Sequence, residues 1–275
     1  MRSSHREAAF SAADLWKNST ADLNSDSGAK ETTEEYLINK AEATTDPKRK
    51  DQLYFRAALV AVRLKKYEAA FDNVQRISAD YNDKAKQFLR FNIALQKIKD
   101  HQFSDAEKLA RMDNLLARRG VIFILIADDL IQENPSRALQ YLDEVQQLVD
   151  NLSDEREKLS VLIGAASVYA RLDTFRASEI LQQIIQHANK VQNFVGDSTI
   201  SNVLEIGGFY YDYSIFSDEL NVFDLVKRLT AGSYYATLHD IRSLNNVTLR
   251  LHAILALCSA VILEQNQPGR AIQRN

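Results

Sequence analysis

From residue 33 onward, apolar side chains recur at the three- and four-residue intervals of amphipathic helices, and the helical segments repeat. Shifting residues 46–77 by 36 positions lays them on 82–113 without a gap. Lys48 then meets Lys84, Lys50 meets Lys86, Leu53 meets Leu89, Phe55 meets Phe91, Ala58 meets Ala94, Leu59 meets Leu95 and Ala70 meets Ala106, with Tyr67 on Phe103. A fixed period of this size marks stacked supersecondary units. Later units keep the anatomy in looser register. Ala166, Phe175 and Ser178 repeat the spacing of Ala58, Tyr67 and Ala70. Between them a unit from about Asn114 to Asn151 is broken into two helices at Asn134-Pro135-Ser136, and Ala138 takes the place of Ala70.

Packing accounts for the spacing. A small residue in each helix of a hairpin lets the two backbones approach, and an aromatic at the turn fills the wedge beside the next hairpin. Each hairpin leaves an apolar face that only a neighbour covers, so stability comes from stacking.

Residues 193–220 interrupt the pattern. Gly207-Gly208 is followed by Phe209 to Phe216, five aromatics in eight residues, which cannot all lie on one helical stripe. A helix is expected over 217–229, and after it a nearly all-apolar helix ending near Leu263. That helix requires cover on most sides, from the aromatic segment or from another protomer. Residues 1–32, rich in Ser, Asn, Asp, Thr and Ala, read as a flexible lead-in, within which Phe10, Leu15 and Trp16 could form a short turn that docks on the body. The chain thus divides into 1–32, helical repeats over 33–192, and a cap over 193–275.

Composition supports the helical reading. Gly and Pro together number 11 of 275 residues, too few for the turns of a sandwich or barrel. No GxxxxGK[ST], GxGxxG or GxSxG motif is present, so phosphate-cradle and nucleophile-elbow chemistry has no support. Cys258 is the sole cysteine, which excludes an internal disulfide and a cysteine-rich zinc site. Within Leu255-Ala256-Leu257-Cys258-Ser259-Ala260-Val261 it reads as a small buried apolar group. The apolar stretches Val121–Ala127 and Leu251–Leu263 fall short of the ~20 residues of a membrane span. With no leader-like apolar run after Met1, the expected location is the cytoplasm.

Charge is unevenly spread: residues 46–119 carry a net +7, 120–275 a net −7, and 1–45 a net −3. A basic half could steer an anionic partner, although solvated helix faces account for such an excess equally well. No two of the five histidines have metal-ligand spacing on a helix. Asp128-Asp129 superficially resembles a magnesium-binding aspartate pair, but a second such motif is missing, and carboxylates on a solvent-facing last turn suffice.

Ala58…Tyr67…Ala70 and Ala94…Phe103…Ala106 resemble the small–aromatic–small signature of tetratricopeptide repeats, with Tyr169 and Phe175 adding to the match in the fourth unit. The period is 36 where that family has 34. Lys65, His101 and Asp173 stand where it has a turn glycine, and the proline after each second helix is absent. The chain is in this respect similar to degenerate bacterial α-solenoids of uncharacterised function. The resemblance implies an all-α, right-handed α-solenoid of four to five helical hairpins, here ending in an irregular helical C-terminal cap. It also implies peptide or protein binding in the groove formed by the first helices.

The function expected is that of a non-enzymatic scaffold for a protein or peptide partner, without cofactor or metal. The candidate partner-binding residues are Tyr210, Tyr211, Tyr213 and Phe216 in the aromatic block, and Lys65, Lys66, Lys84 and Lys86 in the basic half. A homo-oligomer through the apolar C-terminal helix is a further option. One rival is an enzyme or small-ligand binder in the aromatic region, which requires His239, Asp240 and His252 to converge with Tyr210 or Tyr213. The other is nucleic-acid binding through 46–119, for which clustered charge is the one criterion met.

Overall fold

The structure, a computed structural model, describes residues 33–192, 194, 196, 200–215 and 221–265. Phe10, Leu15 and Trp16 lie outside the described residues. Among those described there are twelve helices and one two-stranded hairpin, so the all-helical class holds. The helices are α1 (Glu34–Ala43), α2 (Pro47–Arg63), α3 (Tyr67–Gln75), α4 (Ala79–Lys99), α5 (Phe103–Arg111), α6 (Leu116–Leu130), α7 (Pro135–Asp150), α8 (Glu155–Tyr169), α9 (Thr174–Ala188), α10 (Val222–Gly232), α11 (Tyr234–Arg242) and α12 (Val247–Gln265). The strands are β1 (Ile200–Ile206) and β2 (Phe209–Ile215). The chain forms two compact units, with the division inside α6. The first takes the described residues up to Ile122 together with Ser201–Ile215, and the second takes the rest.

In the first unit α1 packs on α2, and α2–α3 and α4–α5 are helical hairpins. α3 and α2 both also pack against α4. From Asp51 to Val62 nearly every residue of α2 is buried. Both hairpins close in the same way. The N–H of Lys66 bonds to the carbonyl of Ala61 at 2.8 Å and that of Lys65 to Val62 at 2.9 Å; Gln102 to Lys97 and His101 to Ile98 follow suit, each at 2.8 Å. These are Schellman closures, which set the C′ residue in the left-handed region. Lys65 (φ 59°) and His101 (φ 57°) occupy it, so the positions where the repeat family has glycine keep the backbone that glycine favours.

In the second unit the hairpins turn on capping side chains. Asn134 Oδ1 accepts from the N–H of Arg137, with Pro135 as the first residue of α7. Asp173 Oδ1 accepts from the N–H groups of Phe175 and Arg176. Asp173 has φ −147° and is an N-cap, so it does not take over the turn glycine's role.

The α8–α9 connection, 170–173, is also one residue longer than 64–66 and 100–102. That insertion corrects the register expected in the fourth unit. Phe175 falls one position into α9 and is 72% exposed, while Ala177, not Ser178, is fully buried. Measured from the helix starts the repeat is regular: Ala70, Ala106, Ala138 and Ala177 are each the fourth residue of a second helix, and all four are completely buried. Phe123 and Tyr141 stack 5.5 Å apart between α6 and α7, and Tyr169 fills the core at the end of α8.

The expected helical cap is corrected at its start. Ile200–Ile206 and Phe209–Ile215 pair as strands around Gly207-Gly208. Two seven-residue runs rich in β-branched and aromatic residues, separated by a Gly-Gly pair, form a type I′ hairpin. Its two positive φ angles are 61° and 77°. Aromatics that fit no helical stripe fit a strand, whose side chains alternate. Helix α10 begins at Val222, capped by Asn221, and packs with α11 and α12.

Candidate functional site

Structure separates the four candidate lysines. Lys65 Nζ reaches Asp100 at 2.7 Å, in the turn that ends α4, and the pairing holds the Asp100 carboxyl below the usual carboxylate range. Lys66 Nζ lies 3.4 Å from Glu34 of α1, whose other oxygen accepts from Asn73. Lys84 and Lys86 lie toward the other end of α4. Asp100 and Lys84 are sixteen residues apart, about 24 Å at the helical rise. The four cations therefore do not converge. The basic excess is also answered locally, since α1 contributes Glu34 to Lys66 and Glu42 to Arg76 (3.3 Å). Among the described residues, 33–122 with 201–215 holds 18 Lys and Arg against 15 Asp and Glu, and the rest 10 against 14. The contrast of +7 and −7 between chain segments is thus smaller, +3 and −4, between the described parts of the two units.

Tyr210, Tyr211 and Tyr213 lie on β2, and Phe216 lies outside the described residues. The hairpin turn is seated on the first turns of α2. Gln52 Nε2 donates to the Gly207 carbonyl at 3.0 Å, and Arg49 Nη1 donates to Gln52 Oε1 at 3.0 Å. A Cβ on Gly207 would stand 2.2 Å from the Lys48 carbonyl oxygen, so only glycine fits this seat. Gln52 is buried with its amide satisfied, as a buried polar group requires.

The residues named for an enzymatic centre do not assemble in the second unit. Asp240 is buried on α11 and accepts from Gln182 Nε2 at 3.3 Å, whereas His239 and His252 are exposed. Tyr210 and Tyr213 belong to the first unit. Asp128, in the last turn of α6, is ion-paired with Arg171 beyond the end of α8. Among the described residues no group of three His, Cys, Asp or Glu is placed to hold a metal ion, and no helix is long and apolar enough to cross a membrane.

Two polar clusters tie helices together. His187 Nδ1 and Glu155 Oε2 are 2.5 Å apart, joining the end of α9 to the start of α8, and this contact holds the Glu155 carboxyl low. Tyr169 Oη donates to Asp143 Oδ1 at 2.8 Å, and Arg176 Nη1 reaches the same oxygen at 2.5 Å. Burial foremost, and then the bond to Asp143, pushes the Tyr169 phenol up to about 12. These contacts join α7, α8 and α9.

The feature least explained by internal packing is the outer face of α12. Leu249, Ala253, Ala256, Leu257 and Ala260 are buried, and the helix packs against α10 and α11. The three alanines allow α10 to approach closely. On the opposite side Val247 (59%), Leu251 (55%), Leu255 (60%) and Ile262 (57%) are exposed, with Leu263 beside them. Cys258 is exposed on the same side, which corrects the expectation that it is buried. Among the described residues the helix is thus covered on one side only. The sequence marks this helix as one that needs cover, but being apolar all round it does not show which side its neighbours take. The available signal was side-chain size, with Ala inward and Leu, Ile and Val outward.

Comparison with known protein families, with curated proteins and with solved structures yields no match to this chain.

Proposed function

We propose that the chain is a non-enzymatic scaffold of tetratricopeptide-like hairpins, stacked as a right-handed solenoid, that binds a protein or peptide partner through the outer face of α12. One observation carries this reading: five large apolar side chains stand exposed along a single helix whose other side is fully packed. Monomeric soluble proteins rarely leave such a contiguous stripe open. A solenoid ordinarily ends in a repeat with a polar outer face, which α12 lacks. The groove of first helices, where the repeat family binds ligands, is a weaker candidate in the first unit. There α2 is buried almost all round and its N-terminal turns hold the chain's own β-hairpin. Affinity capture from the native organism tests the proposal, with the wild-type chain compared with a Leu251→Glu/Leu255→Glu variant of unchanged circular dichroism. Loss of specific co-purifying proteins in the variant is the expected result. An identical set from both chains would sink the proposal.

A further inference from the structure

We infer that the occupant of the α12 face is a second copy of this chain, docked antiparallel through α12 itself. The inference rests on the reading of that face as a binding surface and names what binds there. Its basis is the spacing of the exposed residues. Val247, Leu251, Leu255, Cys258 and Ile262 follow one another at intervals of four, four, three and four. Turned end for end about the point between Ile254 and Leu255, four of its five positions exchange in pairs, and the fifth, Leu255, falls on the half-buried Ile254. Val247 then falls on Ile262 and Leu251 on Cys258, with Leu255 beside the axis.

A two-fold interface requires such self-complementarity, because each patch must be its own partner. Size follows the same symmetry. At two places the small Cys258 faces Leu251 of the other copy, leaving room for the larger side chain to insert as a knob into a hole.

Charge is consistent with self-pairing. Between Val247 and Leu263 the one Lys, Arg, Asp or Glu is the half-buried Arg250, and the exposed polar residues are Thr248 and His252. The exposed apolar row itself carries no charge to repel an identical row, and the antiparallel arrangement sets each helix N-terminus against the partner's C-terminus, the favourable order for the helix dipoles. The seam from Val247 to Ile262 is about 22 Å long at the helical rise. A single helix pair of that length belongs to the smaller class of interfaces, so the association is expected to be reversible.

Sedimentation equilibrium of the full chain tests this. The wild type should approach twice the 31.2 kDa chain mass as its concentration rises to about 100 µM. Leu255→Glu and Leu255→Lys should each stay monomeric with unchanged circular dichroism, because residue 255 is exposed in the monomer. An equimolar mixture of the two should recover the dimer, since the substituted side chains face each other across the axis. In a Cys258→Ser background, Leu255→Cys should form a disulfide-linked dimer on mild oxidation. The wild-type Cys258 pair, about 10 Å apart along the seam, should not. A wild type that is monomeric at every concentration, a dimer that survives Leu255→Glu, or ready cross-linking through Cys258 would overturn the inference. If the wild type is monomeric and Leu255→Glu still abolishes capture of a different protein, the second-copy assignment falls and the reading of the face stands. If neither responds to the substitution, both fall.

Discussion

Lys65, His101 and Asp173 occupy the same slot of the repeat in sequence and do different physical work. The first two hold a left-handed backbone that costs an L-residue roughly 1–2 kcal/mol, whereas Asp173 is extended and caps α9 with its carboxylate. Glycine should therefore act with opposite sign at the two kinds of turn. His101→Gly is expected to raise the unfolding free energy from denaturant titration by about 0.5–1 kcal/mol, net of glycine's entropy cost. Asp173→Gly is expected to lower it by a few tenths. Equal signs would mean that the turns are alike. Tyr169 carries a second residue-scale consequence. Burial foremost, and then the bond to Asp143, pushes its phenol up from the ordinary 10.0 to about 12, so the folded state favours the neutral form. The associated stability is fully present below pH 10 and is lost as pH rises through 12. Denaturant midpoints measured across that interval should fall less steeply in Tyr169→Phe than in the wild type.

At the scale of elements, the buried alanine four residues into each second helix is the invariant of the repeats, and the aromatic is not. Ala106→Leu should cost about 1–3 kcal/mol by overpacking the α4–α5 contact, while Phe175→Ser, at a 72% exposed position, should shift stability by less than about 0.5 kcal/mol. Thermal melts of the two variants would show whether Ala or the aromatic carries the hairpin. The first two hairpins were legible in sequence because both use three-residue Schellman turns, which preserve a period of 36. The later hairpins were harder to place. A turn made by an N-cap tolerates a different length, and one extra residue in 170–173 moves every later position. The β-hairpin was hidden for another reason. The aromatics from Phe209 to Tyr213 fit no helical stripe, and that misfit is what a period of two produces. The α12 face shows a limit of pattern itself, since a helix apolar on every side gives no clue to which side its neighbours cover.

At the scale of the whole molecule, chain order and folded units do not coincide. Ser201–Ile215 belongs to the first unit although the described residues flanking it belong to the second. The expected boundary after residue 192 would therefore remove part of the first unit's packing. What would be lost is specific: the Gly207 carbonyl that accepts from Gln52, and the close seat of the turn on Lys48. Gln52 would keep its bond from Arg49 but lose the acceptor for its own amide, and an unpaired buried polar group costs about 1–3 kcal/mol. A chain truncated after Gln192 should accordingly exchange its backbone amides faster in the N-terminal turns of α2 than in α4. Gly207→Ala in the full chain should reproduce that local loss, because the added Cβ meets the Lys48 carbonyl. Matched exchange in α2 between wild type and both variants would show that the hairpin only rests on the first unit. Faster exchange confined to those turns would establish that a strand pair from the far half of the sequence is a structural part of the first.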